Sequence, residues 1–173
     1  MAMKGLKIYR ILTFILLPFA AFLVLNIAGS LLVSLGNPLM LLSNFILACL
    51  PVYIFTSNYF LSFGVIKQKP CKPTLKDWIK VNAYVSIVFS VLMIMGSVAI
   101  LLALSNKALQ QELMGKVTAQ QMPGLPSKMP VTEVLQLLKL SVYIMLPFSI
   151  ILLVHLVFTF KIIKFYSTLF NKE

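Results

Sequence analysis

One histidine, His155, is the only side chain of this sequence that combines a titration range near neutral pH with a position inside a long apolar run. It stands six residues before Lys161, on a helical stripe shared with Tyr143, Pro147, Ile151 and Thr159. Its expected role is a hydrogen bond to a neighbouring helix or to interfacial water. Other chemistry-bearing side chains are sparse. The four acids, Asp77, Glu112, Glu133 and Glu173, all fall outside the apolar runs. Coupled transport commonly uses a buried carboxylate, and intramembrane proteolysis needs paired Asp or clustered His and Glu. Haem held between helices needs two histidines. Cys49 and Cys71 form no CxxC motif and fall in different environments, so a packing thiol and an ordinary loop thiol are expected. This inventory predicts no catalytic site, no cofactor and no metal, and therefore a non-enzymatic protein.

Neutral polar residues do form patterns. Asn26, Ser30 and Ser34 align on one helical face; Asn44, Asn58 and Ser62 lie close to another; Asn82, Ser86, Ser90 and Ser97 share a third. In a membrane, small and hydroxyl residues let helices approach and contribute roughly 0.6 kcal/mol per cross-helix bond. A bundle interior is the expected reading, with Asn26, Asn58 and His155 as candidate intramembrane polar contacts. A polar pathway for a small solute or ion is the alternative.

The elements that must carry these residues follow from composition. The chain has 173 residues, is 60% hydrophobic and 11% charged, and has a mean hydropathy of +0.98; a soluble domain carries about 25% charged residues. No charged side chain occurs between Arg10 and Lys67, between Lys80 and Lys107, or between Lys139 and Lys161. Such runs fit helices solvated by lipid, each needing about 20 apolar residues to cross. An all-α polytopic integral membrane protein, a four-transmembrane-helix bundle, is predicted, with spans near 11–35, 39–63, 81–104 and 138–160. The first run exceeds a signal-peptide core and is read as a span. Gly36-Asn37-Pro38 punctuates the first two. Pro18, Pro51 and Pro147 lie within spans, where each removes a backbone hydrogen bond. Residues 138–160 contain no Gly or Ala, so the fourth span is expected to pack loosely, facing lipid or a partner.

Charge sets the orientation. With the N-terminus cytoplasmic, that side receives Lys4, Lys7, Arg10, Lys67, Lys69, Lys72, Lys76, Lys80, Lys161, Lys164 and Lys172; the other receives Lys107, Lys116, Lys128 and Lys139. The positive-inside rule then places both termini in the cytoplasm. The net charge of +11 is largely this imprint, and no folded basic surface suggests nucleic acid. Residues 64–80 form a basic cytoplasmic loop in which Thr74-Leu75-Lys76-Asp77 reads as a capping box. Leu75, Trp78, Ile79 and Asn82 would share one face, with Lys76, Asp77 and Lys80 pointing away. Trp78, Lys76 and Lys80 are the candidate interfacial lipid contacts. In the extracytoplasmic loop 105–137, Leu109, Leu113 and Val117 predict that the third helix continues beyond the membrane. Pro123, Pro126 and Pro130 then force a turn, completing a helical hairpin.

The block KPTLKDWIKVNAYVS resembles one in small four-span bacterial inner-membrane proteins without an assigned activity. The similarity covers the second and third spans and their connection, and implies topology only. The expected function is that of an accessory subunit or assembly factor within a larger membrane complex. A homo-oligomeric channel or facilitator is second.

Overall fold

The computed structural model describes residues 2–119 and 131–170, which are helical apart from short connections and include no strand. The helices are α1 (Ala2–Ser34), α2 (Pro38–Tyr59), α3 (Pro73–Ser105), α4 (Lys107–Ala119) and α5 (Val131–Phe165). A π-helical segment, Phe60–Ile66, prolongs α2, and a 3-10 turn, Ser167–Phe170, follows α5. Four stretches are long and apolar enough to cross a membrane: Gly5–Ser34, Pro38–Ile66, Pro73–Ser105 and Glu133–Phe165. At 1.5 Å per residue each exceeds about 43 Å, more than the roughly 30 Å hydrocarbon core requires. The chain is therefore a multi-pass membrane protein.

Two compact units are present. The first comprises Met1–Ser90 with Ile151–Glu173, and the second is Val91–Ile150. In the first, large side chains such as Tyr9, Leu16, Leu50, Tyr53, Ile54, Phe60, Leu152 and Leu156 are fully buried. The second holds the far half of α3, α4 and the near half of α5, with Ser97, Val142 and Ser149 among its buried residues.

Helix ends follow local chemistry. Asn37 caps α2: its Oδ1 accepts from the backbone N–H of Leu39 (3.0 Å) and Met40 (3.3 Å), and Pro38 fills the first helical position. Asn106 does the same for α4, accepting from the Ala108 N–H at 2.9 Å. That cap corrects the expectation that the third helix runs on past the membrane; the chain breaks at Asn106 and starts anew. The predicted turn at Pro123, Pro126 and Pro130 lies outside the described residues.

The capping box at Thr74 is also corrected. α3 begins at Pro73, so Thr74 is already inside the first turn and cannot be its N-cap. Proline at the first helical position needs no N–H partner, and the Lys72 carbonyl takes the Leu75 N–H at 3.0 Å. At the other side of this connection the π-helix ends at Ile66, and Gln68 just beyond it adopts a left-handed φ of 51°. The Gln68 side-chain amide donates to the Val65 carbonyl, and the Lys69 N–H closes on the Phe63 carbonyl at 3.2 Å. That closure spans six residues because the preceding turn is wide.

The fourth span, expected to pack loosely, is the most covered of the four. One third of its most apolar window (33%) is buried, the largest share of the four, against 11% for the third. Bulk alone misled: β-branched and aromatic side chains fill space between helices when their partners present small or aromatic surfaces. The thinly covered element is α3. Its small polar residues Asn82, Ser86, Ser90 and Ser97 are buried, while most of its large ones are not.

Candidate functional site

Three helices of the first unit each carry a pair of hydrogen-bonding residues four positions apart: Tyr9 and Thr13 on α1, Tyr53 and Ser57 on α2, His155 and Thr159 on α5. Residues at that spacing share one helix face. The three faces converge into one polar cluster, every member of which is at most 1% exposed. His155 is its centre. Nε2 lies 2.9 Å from Thr13 Oγ1 and Nδ1 lies 2.7 Å from Tyr53 Oη. The Tyr9 ring stacks on the imidazole with centroids 4.6 Å apart, and the Tyr53 ring meets it edge-on at 5.6 Å. Thr159 Oγ1 is 2.6 Å from Tyr53 Oη and 3.2 Å from Tyr9 Oη, and Ser57 adjoins both phenol groups.

Hydrogen bookkeeping gives the ring's tautomer. Thr13 donates its hydroxyl hydrogen to the Tyr9 carbonyl at 2.8 Å, so its oxygen is left to accept from Nε2–H. With Nε2 protonated, Nδ1 of a neutral ring accepts from Tyr53 Oη–H. Tyr53 Oη then accepts from Thr159, whose single hydrogen has three acceptors in reach: Tyr53 Oη, Tyr9 Oη, and the His155 carbonyl at 2.9 Å. Among the described residues no buried side-chain nitrogen or oxygen lacks a partner. In hydrocarbon such closure is required, because an unpaired polar atom there costs several kcal/mol. Neither of the two cavities described below touches the cluster. Chemically, it clasps α1, α2 and α5.

A second polar cluster joins the C-terminal end of α1 to the N-terminal part of α2. Ser30 Oγ donates to Asn44 Oδ1 at 2.9 Å, and Asn44 Nδ2 donates to Ser34 Oγ at 3.1 Å. A cavity of about 330 Å³ lies beside it, lined by Ser43, Asn44, Ile46, Leu47 and Phe89.

The connection 67–72 is pinned beneath the chain's C-terminal turn. The Cys71 N–H donates to the Leu169 carbonyl at 2.8 Å, and Phe170 stacks on Phe60 at 4.8 Å. Burial pushes the Cys71 thiol up from its ordinary range, and Cys71 Sγ packs on Gly64, where an added Cβ would stand 2.9 Å away. Among the described residues no three His, Cys, Asp or Glu side chains converge.

Of the six candidate residues, the structure brings only His155 into a site. Asn26 lies on the exposed face of α1, donating to the Phe22 carbonyl of its own helix at 2.9 Å. Asn58 is half-buried and outside both clusters. Trp78 is exposed, away from the buried Ile79 and Asn82 with which it was expected to share a face. Lys76 and Lys80 are half-buried rather than pointing away, and Lys76 Nζ sits 5.8 Å over the Phe170 ring. Tyr9, Thr13, Tyr53 and Ser57 were missed. Their signal was present as three repeated four-residue spacings, but only within apolar runs where tyrosine and threonine read as ordinary lining. Comparison with protein-family models, curated proteins and solved structures gave no match.

Proposed function

We propose that this chain is a non-enzymatic, multi-pass protein of the bacterial cytoplasmic membrane, both termini inside, that acts by helix–helix association with another membrane protein as its accessory or assembly subunit. One observation carries the reading. α3 is the most apolar of the four spans and the least covered. Trp78, Val81, Tyr84, Val88, Leu92 and Met95 recur along it every three or four residues, and each is more than half exposed. Association in lipid is driven by van der Waals packing, which a ridge of this kind supplies. The orientation rests on the lysine asymmetry.

The facilitator reading is weaker. Polar residues that would line a path are bonded within the protein: Ser86 to the Asn82 carbonyl, Ser90 to the Ser86 carbonyl, and Ser30 and Ser34 to Asn44.

A photo-cross-linking side chain placed at Val88 or Leu92 in native membranes tests the proposal. The expected product is a single protein adduct in high yield, identified by mass spectrometry and lost when the label moves to buried Ser86. Lipid adducts alone, with gently solubilised protein migrating free of any other protein, would overturn it.

A further inference from the structure

Asn26 is a lipid-facing amide far from either end of its helix. At 1.5 Å per residue it lies about 24 Å from Arg10 and about 15 Å from Gly36, too deep in a core roughly 30 Å thick for headgroups to reach. Only one of its N–H groups is used, on the Phe22 carbonyl; its Oδ1 and second N–H have no partner among the described residues. The surface around it is hollow. Leu25, Asn26, Gly29 and Ser30 line a shallow groove of about 510 Å³, and a Cβ added at Gly29 would meet nothing within 4 Å. Phe22, Asn26, Gly29 and Val33 follow one another at intervals of four, three and four residues, and all are exposed. That is the seam spacing of a left-handed helix pair.

We propose that α1 is a homodimerisation helix: two copies of the chain pair in parallel along Phe22, Asn26, Gly29 and Val33, with the two Asn26 amides bonded to each other across a two-fold axis. The second copy is the occupant because of hydrogen-bond complementarity. Two chains inserted the same way hold each residue at the depth of its twin, so the Asn26 acceptor and donor meet a donor and an acceptor. Isologous contact then satisfies both amides at once. Gly29, one turn on, lets the backbones approach, as small residues do in membrane interfaces. A single Asn on such a seam fixes register and a two-stranded state. This surface is on α1, so it neither requires nor excludes a partner on α3.

The test is energy transfer between donor- and acceptor-labelled full-length chains in phosphatidylcholine vesicles across a lipid-dilution series. Wild type should follow a monomer–dimer isotherm. Asn26→Leu should weaken the dimer roughly five- to tenfold, the loss of two cross-helix bonds, whereas Asn26→Gln should largely retain it. Gly29→Ile should abolish transfer while leaving thermal unfolding unchanged, since the monomer has room for the side chain. Absence of transfer in wild type at the highest protein density would overturn the proposal. So would an Asn26→Leu or Gly29→Ile isotherm that superimposes on wild type. Because the label for the α3 partner is at Val88 or Leu92, failure of one proposal leaves the other readable.

Discussion

The two polar clusters solve the same problem with different materials. Near the lysine-rich end, Tyr9, Thr13, Tyr53, Ser57, His155 and Thr159 shut out solvent completely. Toward the Gly36 turn, Ser30, Ser34 and Asn44 also close their hydrogen bonds, but Ser30 and Asn44 remain half-buried and a cavity of about 330 Å³ stands beside them. The difference is side-chain volume. Aromatic rings carry a hydroxyl and also fill the space around it, whereas serine and asparagine bridge two helices and leave a gap. Rigidity should therefore concentrate around His155, and tolerance around Asn44.

The sharpest way to break this contrast is His155→Ala. It takes one hydrogen-bond partner each from Thr13 Oγ1 and Tyr53 Oη, removes the ring under Tyr9, and should cost about 3–5 kcal/mol in reversible unfolding in detergent micelles. A loss no greater than that of an Asn44 variant would erase the distinction. Tyr53→Phe deletes one oxygen and leaves Nδ1 without its donor, for an expected loss of about 2–3 kcal/mol. Gly64→Ala extends the contrast to the neighbouring turn: its Cβ would press on Cys71 Sγ and Phe60 at 2.9 Å, costing about 2 kcal/mol. Gly96→Ala meets nothing within 4 Å and should gain up to about 1 kcal/mol. Asn44→Ala breaks two cross-helix bonds in a half-open site and should cost only about 1 kcal/mol. Smallest is a chemical readout. Burial holds the Cys71 thiol protonated above its ordinary range, so alkylation should lag behind a free thiol at pH 8 and catch up only as pH rises further. The sign for stability follows. A folded-state value above the unfolded one contributes fully below the unfolded value and is lost as pH rises through the folded one.

Much of the architecture was legible because lipid imposes simple rules. Uncharged runs marked the four long helices, and Gly36-Asn37-Pro38 marked the break that Asn37 caps. Burial of Asn82, Ser86, Ser90 and Ser97 on one side of α3 followed from their spacing. What periodicity could not reveal was pairing between helices. Tyr9 and His155 are 146 positions apart, and nothing in either run announces that one ring lies on the other. Local competition also hid two boundaries. Asn106 reads as an ordinary polar residue until its side chain is seen taking the Ala108 N–H, and Thr74 looked the better cap until Pro73 occupied the first turn. The fourth span misled because bulk was equated with loose packing.

The wide turn at Phe60–Ile66 has a consequence for how this chain tolerates insertions and deletions. Each π-type bond encloses one residue more than an α-type bond, so the segment stores surplus length. Removing one residue there could be absorbed by tightening to ordinary helix, leaving everything downstream in phase. The same deletion in the middle of α2 would swing all that follows by about 100° and separate Tyr53 from His155. Length variation should therefore be survivable at Phe60–Ile66 and ruinous a few turns earlier.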